Sequence, residues 1–397
     1  MKFSKRIQSI QPSMTLAVDA KAKALRAQGV DVLGFGAGEP DFNTPEGIKR
    51  AGIEAIEQNA THYTPVGGTE ALKQAIVDKL KRDNGLDYEK NQVIVSCGAK
   101  HSFFNLAQVL WEEGDEIIVP APYWVSYPDI IRYAGARPVI VQTQADDEFK
   151  ITPDQIKAAI TSSTRAILIN SPSNPTGSAY TKKELEAIAE CALRHKLLIV
   201  ADEIYEKIVF DGFEQFSIAA LGKEVQDNCV LINGVSKSYA MTGWRIGYLA
   251  GNSEIVKQVA KLQGQSTSNP VAISQAASIA ALSGSEADVK QMVDEFQKRR
   301  KVLLEGLLNI PGVACYKPVG SFYTFPDFSA FYGKSFNGKT VEGSIALAEF
   351  LLEEGKVALV PGVAFGADNN LRMAFAASMD MIRQGVERII EALTRLK

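Results

Sequence analysis

From about residue 46 to residue 295, short apolar runs alternate with longer segments whose apolar residues recur every three or four positions. Helices that alternate with strands act as crossovers, and a crossover leaves successive strands parallel. The pattern therefore predicts an α/β fold with a mostly parallel central sheet flanked by helices. Residues 93–96, 116–119, 165–170, 196–202 and 230–232 have the apolar, β-branched character of buried strands. Residues 69–82 place Leu72, Ile76 and Leu80 at helical spacing, with Asn84-Gly85 as the stop. A chain of 397 residues exceeds what one core usually fills, so two domains are expected. Residues 46–295 form the large one. A long charged helix at 292–308 leads into a smaller α+β domain, 296–397, with short strands at 320–325 and 357–360 and a terminal helix at 381–396. Residues 1–45, glycine-rich near their end, are expected to pack with the small domain as a mobile arm.

Between the strand at 230–232 and a second, arginine-bearing one at 245–250 lies Asn233-Gly234-Val235-Ser236-Lys237-Ser238-Tyr239-Ala240-Met241-Thr242-Gly243-Trp244-Arg245. A lysine held there is rigid and mostly dry. Desolvation disfavours its charged form and leaves a nucleophilic amine. Such amines form imines with aldehydes, and pyridoxal phosphate is the commonest aldehyde cofactor. A lone buried lysine is also an ordinary structural residue, so the chemistry depends on its company.

The company fits that cofactor. Its ring nitrogen must stay protonated, which calls for a buried carboxylate. Asp202 ends a core strand at the edge where open α/β sheets bind ligands. Tyr205, three residues on, and Asn174, in Ser171-Pro172-Ser173-Asn174-Pro175-Thr176-Gly177, can donate to a phenolate oxygen. A phosphate suits a helix N-terminus, and Cys97-Gly98-Ala99-Lys100 joins the strand at 93–96 to a helix at 101–111. Arg245 adds a fixed charge. Each has a plainer reading as well: Asp202 as a helix cap, Asn174 as a turn residue, Gly98 as a common strand–helix turn.

Asn174-Pro175-Thr176-Gly177, Asp202-Glu203-Ile204-Tyr205 and Ser236-Lys237 through Met241-Thr242-Gly243-Trp244-Arg245 resemble, in order, the signatures of class I pyridoxal-phosphate-dependent aminotransferases of fold type I. Gly36-Ala37-Gly38-Glu39-Pro40-Asp41, Pro122-Tyr123-Trp124-Val125-Ser126-Tyr127 and Asn370-Leu371-Arg372-Met373-Ala374-Phe375-Ala376 extend the likeness, which is strongest to the bacterial aspartate aminotransferases. The resemblance covers essentially the whole chain. It implies transfer of an amino group from aspartate to 2-oxoglutarate in two half-reactions, with Lys237 holding the cofactor as an imine and shuttling the proton. Asp202 is implied to pair with the ring nitrogen, Asn174 and Tyr205 to hold the phenolate oxygen, and Trp124 to stack on the ring. Gly98, Ala99, Lys100, Ser236 and Arg245 are implied for the phosphate, along with Tyr63 of a neighbouring subunit. The active unit is then a homodimer with shared sites. Gly38, Lys100, Trp124, Asn174 and Arg372 are implied to face the substrate, with Arg372 as a fork for the α-carboxylate. Trp124 also reads as ordinary core, and Lys100 as solvated surface.

Two positions depart from the family's pattern. Gly234 stands three before the lysine, where many relatives have a hydroxyl. Gln11 stands before Pro12-Ser13, where relatives that also act on prephenate have a lysine. Prephenate, aromatic or alanine substrates, and carbon–sulfur lysis on the same fold, are the alternatives. A regulator's effector domain would need a DNA-binding region before the fold, for which the first dozen residues leave no room. Gly34-Phe35-Gly36-Ala37-Gly38 lacks a dinucleotide-binding spacing, since Glu39 takes the last glycine's place. A formal net charge of -3 gives no general attraction to nucleic acid or anionic membranes. Four scattered cysteines and three histidines predict neither disulfides nor a metal site. With no apolar leader or membrane-length run, a cytoplasmic enzyme is expected.

Overall fold

The structure, a computed structural model, describes residues 1–284 and 286–397. Seven strands form the central sheet: β1 (Val93–Ser96), β2 (Glu116–Ala121), β3 (Arg137–Gln142), β4 (Thr164–Asn170), β5 (Leu198–Asp202), β6 (Cys229–Gly234) and β7 (Gly247–Ala250). Their spatial order is β1-β7-β6-β5-β4-β2-β3. The five from β6 to β3 are parallel, and β7 runs antiparallel to both β6 and β1. Alternate side chains divide between two cores, as the strand period of two requires. Val95, Ile118 and Leu231 enter the cluster on one face. Ile94, Ile117, Val119, Val230 and Ile232 enter the cluster on the other.

Helices cover both faces, and their caps follow from sequence. Helix α2 (Glu70–Asn84) begins where the Thr69 hydroxyl accepts the Leu72 N–H at 3.2 Å. It ends at Gly85, whose left-handed φ of 67° glycine adopts without penalty. It buries Leu72, Ile76 and Leu80 as the spacing predicted. Helix α3 (Ala99–Leu110) starts two residues before its predicted limit, directly after Gly98 at φ 90°.

Beyond this body, β8 (Tyr323–Thr324), β9 (Val360–Pro361) and β10 (Leu371–Ala374) form a small antiparallel sheet in the order β9-β10-β8. It shares a core with helices α4 (Ala287–Leu308) and α5 (Met379–Thr394), through Phe296, Leu303, Leu371, Met373, Ile382 and Ile389. Tyr205 and Ile208, just past β5, join that same cluster, so its packing runs up to the central sheet. At the N-terminus, α1 (Met14–Ala27) packs Ala22 against Val32, Leu352 and Ala358. Leu33–Gly34 then pairs in parallel with Val357–Ala358.

Several predicted elements differ in extent: the strand expected over 320–325 is only Tyr323–Thr324, and the terminal helix expected over 381–396 spans Met379–Thr394. The strand expected from Arg245 begins at Gly247, because Arg245 takes a left-handed φ of 58° that no strand accommodates. The helix expected from 292 begins at Ala287. The run 357–360 is two short strands that pair with different partners, Leu33–Gly34 and Leu371–Arg372. Among the described residues, no helix is long and apolar enough to cross a membrane, and no group of three or more His, Cys, Asp or Glu can hold a metal ion.

Candidate active site

The register of the sheet assembles the site along one edge. Asn170 lies beside Asp202, and Asp202 beside Ile232. Gly234 and Ser96 both lie beside Gly247. The segments that follow β1, β4, β5 and β6 therefore meet at one place, where a cavity of about 280 Å³ opens. Gly38, Ala99, Lys100, Trp124 and Asn174 line it, as do Asp202, Tyr205, Ser236, Lys237, Arg245 and Arg372. All of these were expected from sequence. They come from seven separate stretches of the chain.

Lys237 donates from Nζ to the Gly38 carbonyl oxygen. Desolvation is the main cause that lowers its pKa, to about 8, with help from the charges of Arg245 and Arg372; Glu39 and Asp202 oppose the shift. Asp202 is buried. Its Oδ2 accepts from the Tyr127 hydroxyl at 2.5 Å, and its Oδ1 from the Ile204 N–H at 3.2 Å. Burial raises its pKa, and those two hydrogen bonds and Lys237 only partly offset this. Such a carboxylate gains most from a cationic N–H brought in by a ligand.

The turn after β1 is a cradle that side chains would fill. A Cβ on Gly98 would stand 2.5 Å from Arg245 Nη2, and one on Gly247 only 2.1 Å from the Ala99 nitrogen. These glycines let the guanidinium and the N-terminus of α3 converge, which suits an anion. Arg245 is fixed by its own donation to the carbonyls of Thr242 and Cys97, at 2.9 and 3.3 Å. Gly234 has a packing reason too: a Cβ there would lie 2.9 Å from Gly247 Cα, so β6 has no room for a side chain at this position.

Arg372 is 2% exposed and sits on β10. It donates to Asn174 Oδ1 at 3.0 Å and to the Gly36 carbonyl at 2.7 Å. Its Nε–H, also buried, has no partner among the described residues. A buried donor left unpaired is costly, and a carboxylate is the ligand that its fork matches. Lys100 lies over the Trp124 ring, 4.9 Å from its centre. Desolvation, then Arg245, pulls its pKa below the usual lysine range, although the residue keeps an exposed edge. The Trp124 ring in turn meets Tyr127 edge-on at 5.1 Å.

Tyr63 is not at this cavity. It is 91% exposed and lines a separate depression with His62 and Asn269. Gln11 lines an adjoining chamber of about 650 Å³ that shares Lys100 and Arg245 with the site. Sequence reasoning assigned no role to several residues that the structure adds. Ser13 and Thr15 line the cavity, and the buried Thr15 hydroxyl has no partner among the described residues. Tyr127 supports Asp202. Asn170 donates to the Asp202 carbonyl at 3.0 Å and accepts the Asn174 N–H at 2.9 Å. Tyr323 lies between Tyr205 and Arg372. Only Tyr127 carried a signal, as the last residue of an aromatic motif.

A parallel sheet that gathers, at the carboxyl ends of its strands, a low-pKa lysine, a buried acid, an anion cradle and an unsatisfied arginine defines an enzyme of amino-acid chemistry. Residues 30–390 match the family described as aminotransferase class I and II, and the chain belongs to that family. It is 52% identical over 390 residues to the aspartate aminotransferase of Geobacillus stearothermophilus, covering 98% of each chain. It is 45% identical to the aspartate/prephenate aminotransferase of Nitrosomonas europaea, covering 99% of this chain and all of that one. The crystal structure of the aspartate aminotransferase from Rhizobium meliloti superposes with a TM-score of 0.97, at 42% identity and with both chains fully covered.

Proposed function

We propose that the protein transfers the amino group of L-aspartate to 2-oxoglutarate, reversibly and in two half-reactions, using pyridoxal phosphate held by Lys237. The observation that carries this reading is one cavity in which a lysine amine with a pKa of about 8 shares space with a buried arginine that has an unpaired N–H. When bound, pyridoxal phosphate supplies an aldehyde for the amine and a protonated ring that takes up the electrons left by loss of the substrate's Cα proton. Arg245, Ser236 and the N–H groups at Gly98 and Ala99 would hold its phosphate. Asp202, oriented by Tyr127, would keep the ring nitrogen protonated; Asn174 and Tyr205 would donate to the ring oxygen. Trp124 would cover the ring's face.

The protein's own residues then divide the work. Arg372 grips the α-carboxylate with the N–H that now lacks a partner. Lys237 Nζ, half uncharged near pH 8, would take the Cα proton and pass it to the cofactor side, and in the second half-reaction give a proton to the Cα of the new amino acid. Lys100 and the Thr15 hydroxyl, both at the cavity wall, hold the distal carboxylate of aspartate and 2-oxoglutarate. Residues 1–45 and 296–397 move as a unit against 46–295 and shut water out while the proton is in transit. The enzyme works in the cytoplasm as a homodimer, with Tyr63 reaching the phosphate in the partner's site.

The test is an absorbance spectrum of the loaded protein before and after aspartate is added without any 2-oxo acid. Loss of the long-wavelength band with stoichiometric release of oxaloacetate is expected. A band that aspartate leaves unmoved overturns the substrate, and no band even after adding the cofactor overturns the chemistry. With cysteine supplied instead of aspartate, release of pyruvate, ammonia and hydrogen sulfide would identify a carbon–sulfur lyase. A broader substrate range has one observation in its favour: the chamber beside the site, with Ile7, Ile10, Phe104 and Tyr133 in its wall, gives a larger 2-oxo acid such as prephenate room to enter. Competition of prephenate with 2-oxoglutarate tests it.

A further inference from the structure

We propose that Tyr323 is a positioning residue that relays the charge state of Arg372 to Tyr205, so that filling the carboxylate site alters the hydrogen bond Tyr205 makes to the cofactor. The proposal rests on the reading of the site given above, and it concerns a residue to which the sequence assigned nothing.

The backbone puts Tyr323 there. In the pairing of β8 with β10, Tyr323 lies opposite Ala374. Arg372 stands two residues before Ala374 and so shares the face on which Tyr323 points, as its diagonal neighbour. The guanidinium carbon sits 4.5 Å from the ring centre, within the range of a cation–π contact. At the other end of the ring, the hydroxyl is 3.1 Å from that of Tyr205, with the two rings edge-on at 5.9 Å. The residue is 1% exposed, and a Cβ added to Gly38 would approach its hydroxyl to 3.0 Å. The substrate arginine, a cofactor-side tyrosine and the N-terminal arm thus meet on one side chain.

The direction of the relay follows from counting hydrogens. A phenol has one. If Tyr205 gives its hydrogen to the ring oxygen of the cofactor, its own oxygen can only accept, and Tyr323 must be the donor between them. Burial is the largest influence on the Tyr323 hydroxyl and raises its pKa; the Arg372 cation above the ring works against burial, favouring the phenolate and so strengthening that O–H as a donor. A carboxylate bound to Arg372 neutralises the cation and weakens the donor. Tyr205 feels the change without touching the substrate.

The experiment uses the protein loaded with pyridoxal phosphate and succinate, a dicarboxylate that has no amino group to transfer. In the wild type, succinate should change the long-wavelength absorbance at fixed pH. Tyr323→Phe keeps the ring under Arg372 and removes only the hydroxyl. It should bind succinate within about twofold of wild type, because the cation–π contact is retained, yet show less than half of the spectral change. Tyr323→Leu removes the ring as well and should weaken succinate binding about three- to tenfold. A full spectral change in Tyr323→Phe, or no change in the wild type, overturns the relay. So does a loss of affinity in Tyr323→Phe as large as in Tyr323→Leu, which would make the hydroxyl a direct contact. Circular dichroism and thermal unfolding of both variants separate misfolding from these outcomes. A wild type without the long-wavelength band would strike the cofactor assignment itself, and that control is read before either variant.

Discussion

At Lys237, the burial that makes the amine a base also weakens the empty protein around it. Its folded pKa of about 8 lies below the ordinary 10.5, so the folded chain gives up this proton before the unfolded chain does. The sign is that of a penalty: present in full below about pH 8, it falls away as pH rises from 8 to 10.5. Without cofactor, Lys237→Met should therefore exceed the parent in stability at neutral pH by up to about 3 kcal/mol, an upper bound because the amine faces an open cavity. Urea unfolding at a series of pH values would show the gap closing toward pH 10.5; a constant gap would mean that packing, not charge, sets it. The same variant should have no turnover and no long-wavelength band, and steady-state activity in it would remove Lys237 from the chemistry. Arg372→Lys addresses a different property. It keeps the charge and loses the fork, so kcat/KM should fall about 10- to 100-fold for amino acid and 2-oxo acid alike. The spectrum of the loaded variant should stay that of the wild type. Unchanged kinetics would assign the α-carboxylate to another group.

Among the elements, the contact of β7 with the turn before α3 is the least forgiving. A methyl group on Gly247 would meet the backbone of Gly98 and Ala99 at 2.4 and 2.1 Å, and backbone cannot rotate away as a side chain can. Gly247→Ala should cost about 1–3 kcal/mol of stability and weaken cofactor binding, seen as a smaller rise in Tm on adding pyridoxal phosphate. An unchanged Tm shift would show that Arg245 and α3 do not form the cradle together. This contact also marks how far the sequence could be read. Val93–Ser96 and Glu70–Asn84 were legible because local rules decide them: an apolar run bounded by a glycine turn, and a 3.6-residue period between Thr69 and Gly85. Asp202, Asn174 and Lys237 could be singled out because Asp202 ends a strand, the other two follow one, and each carries the residue type that the chemistry needs. Arg245 was read as the first residue of a strand over 245–250, and nothing local announces its left-handed backbone. Tyr127, Asn170 and Tyr323 acquire roles only through pairings across 75, 32 and 118 positions. No window along the chain contains those distances.

For the whole molecule, the proposal of shared sites explains why Tyr63 stands 91% exposed while Ile53 and Ile56, each 52% exposed, present apolar surface nearby in sequence. Light scattering should give twice the 43.1 kDa of one chain. Lys237→Ala and Tyr63→Ala, each inactive or nearly so as a homodimer, should regain activity when their subunits are exchanged. Roughly a quarter of the sites would then pair an intact Lys237 with an intact Tyr63, as a two-fold dimer requires. A mixture that stays inactive would place Tyr63 outside the partner's site. One further consequence lies in time. Arg372 anchors the N-terminal arm at Gly36, a partner 336 positions away. At about 5–20 residues per second of synthesis, that arginine is made on the order of tens of seconds after the glycine. Asn174, Asp202, Tyr205, Lys237 and Arg245 have all left the ribosome's catalytic centre by then. A nascent chain thus carries every residue assigned here to its own cofactor well before it has the arginine that recognises a substrate.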